Sequence, residues 1–407
     1  MVSRENLILF CEIEYDHIAM VMSTYYVMTN NLDNINMNFL HDYCQQMTKQ
    51  LLELAQTFAR KSRRPSTKLT CDDLINAFES FRNSSSINCS QYIDDYEVLV
   101  TFPFHVVLNP LTQVFKKTNG LMNAKEHIYY LNIIDQNYVP LTVYCLTHLE
   151  KLYIRNTSFY NTDHQLPIEI DHLSSTLTNL GIYNTRVTHL PEQIGKLKHL
   201  QSLELVNTNL MALPNGIDGL SSLTLLFLPN NKLISLPKTI KNIRSLSQIV
   251  LKNNPYLHSI QSLNGLSNLR ILQTDNCPIE RIPLYLPQLT DLYMSKNNLS
   301  HLIGIRTLGY KTNSSKYFYF NNNRIQSVPP QIKHVNNLYF LNLDYNHLIS
   351  LPLDIFSIPT LHYLYIRNND FSVIELKAIV DKFNATHPYM NLYYVNKKNS
   401  IVKSITN

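Results

Sequence analysis

Glycine, tryptophan and charge are all scarce in this chain. Of 407 residues only 8 are glycine, none is tryptophan, and 16% are charged. Neither GxGxxG nor GxxxxGK[ST] occurs, which removes the glycine-rich phosphate loops and the nucleotide chemistry built on them. No stretch approaches the ~18 consecutive apolar residues of a membrane span. A net charge of +5 is small for this length and does not suggest a protein that coats nucleic acid. HExxH and GxSxG are also absent. His41 and Cys44 stand at i, i+3, but two ligands without a second pair do not make a metal site. The adjacent carboxylates Asp72–Asp73 and Asp94–Asp95 diverge on a helix or strand, so they do not form an acid–base pair. The expectation is a non-enzymatic chain with neither metal nor cofactor.

The six cysteines (Cys11, Cys44, Cys71, Cys89, Cys145, Cys277) are scattered, with no CxxC and no tightly spaced pair. That pattern suggests free thiols in a reducing compartment. The apolar run Leu7–Phe10 is shorter than the about 7–15 residues of a secretory h-region. Asn-x-Ser/Thr sequences such as Asn156-Thr157-Ser158 and Asn384-Ala385-Thr386 are expected by chance in an asparagine-rich chain. An intracellular protein is expected.

What is present is a repeat. Leucines 177, 200, 223, 246 and 269 are spaced by 23 residues, each inside one frame. Leu177-x-x-Leu180-x-Ile182-x-x-Thr185-x-Val187-x-x-Leu190-Pro191-x-x-Ile194 is matched by Leu223-x-x-Leu226-x-Leu228-x-x-Asn231-x-Leu233-x-x-Leu236-Pro237-x-x-Ile240. The frame also fits starts at Leu149, Leu289, Ser315, Leu338 and Leu361, so ten turns are legible from about residue 149 to 395. It resembles the leucine-rich-repeat family, of the intracellular type with Leu-Pro-x-x-Ile. Alternate strand residues point inward, so successive leucines stack into a core that no single turn could bury alone. Where the chain leaves the strand stands a column of Asn231, Asn254, Asn297, Asn323, Asn346 and Asn369. Their amides can satisfy backbone groups left unpaired by the bend. Thr157, Thr185 and Thr208 can do part of that work, and Cys277 does it poorly.

The residues between the strand leucines line the concave face. Tyr153, Arg155, Tyr183, Phe227, Tyr293, Tyr317, Tyr319, Phe340, Tyr363, Tyr365 and Arg367 form its candidate protein-binding surface, since aromatics and arginine are enriched in interface cores. The alternative is ladder stacking in a tyrosine-rich chain. Residues 372–407 read as a cap and tail: Ser372 starts a helix carrying Ile374, Leu376, Ile379, Val380 and Phe383, followed by a strand at Asn391–Val395.

Before residue 149 the period gives way to helical patterning. From about Asn38 to Ser62, Leu40, Cys44, Met47, Leu51, Leu54 and Phe58 step by 4, 3, 4, 3 and 4, making one apolar stripe. Thr70 and Asp73 cap a following helix that carries Leu74, Phe78 and Phe81. The stretch Leu51-Leu52-Glu53-Leu54-Ala55-Gln56-Thr57-Phe58-Ala59-Arg60-Lys61-Ser62-Arg63-Arg64, leading into Lys68-Leu69-Thr70-Cys71-Asp72-Asp73-Leu74-Ile75-Asn76-Ala77-Phe78, resembles the histone-fold subunits of the general transcription factor TFIID, most like the sixth. A weaker likeness to that family's connector runs through Phe102-Pro103-Phe104, Ile128–Leu131 and Val139-Pro140-Leu141. Where the family continues into helical HEAT repeats, this chain has leucine-rich repeats.

The resemblance implies a heterodimer with a ninth-subunit-like histone-fold partner, with Leu40, Cys44, Met47, Leu51, Leu54, Phe58, Leu74 and Phe78 at the interface. The basic run Arg60, Lys61, Arg63, Arg64 and Lys68 could act in nuclear localisation or touch DNA phosphate, or simply favour a helix C-terminus. The expected fold is a helical histone fold (1–85), an irregular connector (86–148), a curved α/β solenoid with a parallel concave sheet (149–371), and the cap and tail. The expected function is a nuclear interaction subunit of a TFIID/SAGA-like transcription initiation complex, whose repeats bind a further protein. The alternative is a cytoplasmic leucine-rich-repeat adaptor in signalling or ubiquitin ligation, its N-terminal helices only a cap.

Overall fold

The computed structural model describes residues 87–108, 117–159, 164–386, 390–395 and 402–405. The expected histone fold, its interface set Leu40, Cys44, Met47, Leu51, Leu54, Phe58, Leu74 and Phe78, and the basic run Arg60, Lys61, Arg63, Arg64 and Lys68 lie outside these residues. The described chain falls into two compact units: residues 87–106 with 140–145, and residues 107–139 with 146 onward.

In the first unit, Asn88 caps the short turn Cys89–Gln91 by accepting from the Ser90 amide at 3.2 Å. Helix α1, Asp95–Val100, opens with reciprocal caps. Asp94 accepts from the Glu97 amide (2.9 Å), and Glu97 accepts from the Ile93 amide (2.7 Å). Val98, Phe102, Val143 and Tyr144 are buried. A disulfide joins Cys89 to Cys145, 56 residues apart. This corrects the expectation that all thiols are free. Spacing carries no signal for a bridge across so long a loop, and such a bond is maintained in an oxidising environment.

The second unit is a curved solenoid built on a 15-stranded sheet. Its first strands are β1 (Val107–Leu108), β2 (Asn119–Met122), β3 (Ile128–Ile134), β5 (Lys151–Arg155), β7 (Asn179–Tyr183) and β8 (Ser202–Val206). They are followed by β9 (Leu225–Phe227), β10 (Gln248–Val250), β11 (Ile271–Gln273), β12 (Asp291–Tyr293) and β13 (Lys316–Tyr319). The sheet closes with β14 (Leu338–Asn342), β15 (Tyr363–Tyr365), β16 (Asn391–Val395) and β17 (Val402–Ile405). A small separate pair is formed by β4 (Tyr138–Val139) and β6 (Ser158–Phe159). From β3 to β16 the pairing is parallel, in chain order, with antiparallel β2 and β17 next to its two ends. Those reversals end the ladder of identical strands that would otherwise invite further pairing.

The leucine frame dictates the core. Leu180, Leu203, Leu226, Ile249, Leu272, Leu292, Phe318, Leu341 and Leu364 are buried in a single line. On the far side of each regular turn, Pro191, Pro214 or Pro237 opens a 3-10 turn that buries Ile194, Ile217 or Ile240. Proline fits there because its preset φ suits the entry to a turn and its missing N–H needs no partner.

The asparagine column is buried, as its position in the frame requires. Asn231 donates to the Leu205 carbonyl of the preceding turn (2.7 Å) and accepts from the Leu210 amide (3.0 Å). Cys277 keeps a weaker version, donating to Leu251 O at 3.3 Å and accepting from the Asn254 amide at 3.4 Å. Burial raises its thiol to about 11. One residue earlier runs a second column, Asn184, Asn207, Asn230, Asn253, Asn276, Asn322 and Asn368, with φ between 52° and 60°. Asparagine tolerates this left-handed conformation.

Three expectations need correction. The sheet does not wait for residue 149: β3 pairs in parallel with β5 and buries Ile128, Leu131 and Ile133, so the 86–148 stretch contains one further turn. The turn expected to start at Ser315 places Lys316 in the leucine slot instead. A bulge after Lys316 pairs it with Leu338, while Ser315 is exposed. Lys316 is fully buried, and its ammonium donates to the carbonyls of Asn336, Thr312 (3.4 Å) and Ser314 (3.5 Å). Gly309 makes room for it, since a Cβ there would come within 2.2 Å of Lys316 Cε. In the cap, helix α2 (Val373–Thr386) buries Leu376, Ile379 and Phe383, but Ile374 is 83% exposed. Ser372 caps that helix through the Glu375 amide (3.1 Å).

Candidate protein-binding face

Strand alternation sends one set of side chains into the core and the other onto the sheet face. The parallel register aligns the second set into rows across the strands. One row runs Tyr153, Gly181, Glu204, Phe227, Val250, Gln273, Tyr293, Tyr319, Asn342, Tyr365 and Tyr393. All eleven candidate face residues are half-buried. The structure gathers them into two clusters, with Phe227 standing between, opposite Glu204 and Val250.

The first cluster lies on β5, β7 and β8. Arg155 stacks on Tyr183, its guanidinium carbon 3.9 Å from the ring centroid, and lies 5.9 Å from the Tyr153 centroid. Tyr183 Oη donates to Glu204 Oε2 at 2.5 Å, and Ser202 Oγ donates to Glu204 Oε1 at 3.0 Å. Burial, then the hydrogen bond and charge of Glu204, drives the Tyr183 hydroxyl far above its ordinary value of 10.0. Gly181 is what lets the rings close together. A Cβ there would sit 2.5 Å from the Tyr153 ring and 2.8 Å from the Tyr183 ring.

The second cluster is a ladder of rings. Tyr293 stacks on Tyr319 (centroids 4.7 Å), Tyr319 meets Phe340 (4.6 Å), and Phe340 meets Tyr365 (5.2 Å) and Tyr363 (6.2 Å). Tyr317 joins through Tyr339 (5.5 Å), which also meets Tyr363 (5.6 Å). Each such pair is worth about 0.5–1.5 kcal/mol beyond its buried area. Burial and the hydrogen bond to Tyr393 raise the Tyr365 hydroxyl to about 12. Burial also raises Tyr293 and Tyr319, with Asp291 adding to it. Arg367 closes this end. It lies 5.3 Å from the Tyr365 centroid and makes a forked pair with Asp344, from Nε at 2.8 Å and Nη2 at 2.5 Å. Burial raises the Asp344 carboxyl against the opposing pull of that pair.

Sequence reasoning missed Tyr393, which stacks on Tyr365 at 4.1 Å but sits in a strand read only as a cap. It also missed Tyr130, 5.7 Å from Tyr153, in the strand read as connector. In both cases the register of the leucine frame, extended one strand outward, would have found the ring.

Residues 172–307 match the family model described as a leucine-rich repeat region, so the second unit carries a leucine-rich-repeat domain. None of the curated proteins matches the chain. Among solved structures, a leucine-rich-repeat protein of Leptospira interrogans is 23% identical, with 63% of this chain and 75% of that one covered and a TM-score of 0.46. An internalin of Listeria monocytogenes is 16% identical, with 65% and 79% covered and a TM-score of 0.47. Toll from Drosophila, solved with Spatzle, is 18% identical, with 63% and 39% covered and a TM-score of 0.49.

Proposed function

We propose that this chain is a non-enzymatic interaction protein whose repeats hold a protein partner on the sheet face. The observation that carries this reading is the ladder from Tyr293 to Tyr393, a continuous run of half-exposed rings on rigid strands. Large rings with few rotatable bonds gain contact area at low entropic cost, and a stripe of them calls for a covering partner. Selection of a random peptide display library on the full chain tests it. Enriched peptides should lose binding on Tyr319→Asp and keep it on Met211→Asp, which alters an exposed side chain in the connecting segment after β8. Enrichment indifferent to Tyr319, or no enrichment at all, overturns the reading.

For the N-terminal third, the resemblance across residues 51–78 supports a second docking element: a histone fold paired with a ninth-subunit-like chain in a TFIID/SAGA-like assembly. The Cys89–Cys145 disulfide speaks against a nuclear or cytoplasmic setting, where glutathione and thioredoxin keep thiols reduced. Mass spectrometry of native protein, alkylated before lysis, separates the two. A linked Cys89–Cys145 peptide removes the nuclear reading, and free thiols at both positions retain it.

A further inference from the structure

Two trios on the face share one composition. At β5–β8 the Arg155 guanidinium lies over the Tyr183 ring, and the Tyr183 hydroxyl is bonded to Glu204. At β14–β15 the Arg367 guanidinium lies 5.3 Å from the Tyr365 centroid and forks onto Asp344. Each trio brings together an aromatic ring, a carboxylate and an arginine. The planar guanidinium suits both neighbours, since it stacks on a ring and donates in pairs to a carboxylate.

A third place, on β12 and β13, has the rings and the carboxylate without the arginine. Tyr293 and Tyr319 stack nearly parallel (13°), with centroids 4.7 Å apart. Asp291 stands two residues before Tyr293 on the same strand and in register with Tyr317. Strand alternation therefore puts all four side chains on one side of the sheet. The Asp291 carboxylate accepts from the Thr290 hydroxyl (2.6 Å). Its charge reaches both stacked rings, adding to the burial that raises the Tyr293 and Tyr319 hydroxyls. Among the described residues no cation pairs with Asp291, and none lies over Tyr293, Tyr317 or Tyr319. Asp275, the other acid that reaches Tyr293, is bonded to the Ser295 amide (2.9 Å). Continuation of the β10–β11 register puts Lys252 beside Asp275, which leaves Asp291 as the anchor.

Resting on the ring-ladder reading above, we infer that this place receives an arginine side chain of the bound peptide, its guanidinium over Tyr293 and donating to Asp291. The step between these two residues is ~6.6 Å along the strand. A guanidinium within ~6 Å of a ring centroid and ~2.8 Å from a carboxylate bridges that step. Tyr293 is the first ring of the ladder, so the peptide that covers Tyr319 and Phe340 reaches the site from the adjacent strands.

Selection of the random peptide library on the full chain, unaltered and with Asp291 replaced, tests this. Peptides enriched on the unaltered chain should carry arginine at one aligned position, at least ~tenfold above its frequency in the unselected library. Asp291→Asn should abolish that enrichment, and Asp291→Arg should replace it with glutamate or aspartate. The best selected peptide is then made with citrulline in place of that arginine, which keeps the shape and removes the charge. Its affinity for the unaltered chain should fall at least ~tenfold, about 1.4 kcal/mol, and for Asp291→Asn less than ~twofold. Enrichment without arginine, lysine enriched as strongly as arginine, or a citrulline loss of equal size on Asp291→Asn would each overturn the inference. If the enriched peptides still lose binding on Tyr319→Asp, the docking face stands without this arginine. If they ignore Tyr319, or if no peptide is enriched, both readings fall.

Discussion

At the β5–β8 end of the face, Tyr153, Arg155 and Tyr183 are locked by specific bonds. The tyrosine hydroxyl is tied to Glu204 at 2.5 Å, the guanidinium lies on the ring, and Gly181 leaves the space that both rings fill. At the β12–β16 end the same residue types touch ring to ring over successive strands, with Arg367 already paired to Asp344. One end relies on polar atoms at fixed distances, and its guanidinium has no ion pair among the described residues. The other relies on shape and area, and its charge is neutralised internally. Composition alone makes the two ends look alike; partner by partner they differ.

The largest expected effect falls on neither end but on the scaffold beneath both. Asn254→Ala leaves the Leu233 amide without its partner and removes one of two donors from each of the buried carbonyls of Leu228 and Leu251, which keep Asn231 Nδ2 (3.2 Å) and Cys277 Sγ (3.3 Å). At about 1–3 kcal/mol for the orphaned amide and about 1 kcal/mol for each of the two lost bonds, the loss should be about 3–5 kcal/mol in denaturant unfolding. Gly181→Ala strikes the locked end only and should cost about 1–3 kcal/mol through overpacking, with the Arg155–Tyr183 stack displaced. A destabilisation below ~0.5 kcal/mol would mean the rings are not locked.

Removing single hydroxyls sharpens the contrast. Tyr183→Phe should cost about 1 kcal/mol because it strips Glu204 of a donor. Phe at 319 keeps the ring contacts and should change stability by less than ~0.5 kcal/mol. Equal effects at the two sites would erase the distinction.

Below the ladder, Lys316 supplies a pH signature. Burial lowers its ammonium from 10.5 to about 8 in the folded chain. Between about pH 8 and 10 the unfolded chain therefore holds a proton at Lys316 that the folded chain lacks, so the Lys316 contribution to stability rises with pH across that window. The tyrosines, whose raised folded values act in the opposite sense, oppose it as pH nears ~10. The slope is at most about 1.4 kcal/mol per pH unit. Lys316→Met should flatten it. A wild-type stability that does not gain on the Lys316→Met chain from about pH 8 to 10 would contradict the burial.

The frame from Leu149 to Leu361 was legible because leucines at 23-residue spacing have one stable arrangement, a stack. The buried asparagine column was legible for the same reason. The further turn at Ile128–Ile134 was not, because Ile128-x-x-Leu131-x-Ile133 holds a single leucine and its second half, Val139-Pro140-x-x-Val143, stands two residues early with valine in place of leucine and isoleucine. Lys316 was illegible because nothing in a lysine announces that a one-residue bulge will carry it into a leucine slot. The Cys89–Cys145 pair was hidden by its 56-residue separation. On the face, alternation gave every residue its side of the sheet. Which arginine would be left unpaired depended on distances, and those appear only once Asp344 and Glu204 are in place.

The claim that this face is a docking surface meets its most direct test in one comparison: the affinity of a selected peptide for the unaltered chain and for a chain carrying both Tyr319→Asp and Phe340→Asp. The expected result is a loss of at least ~tenfold, about 1.4 kcal/mol, while near-ultraviolet dichroism and the melting midpoint of the Met211→Asp control stay as in the parent. Equal affinity for the parent and the doubly altered chain would place the partner elsewhere on the molecule.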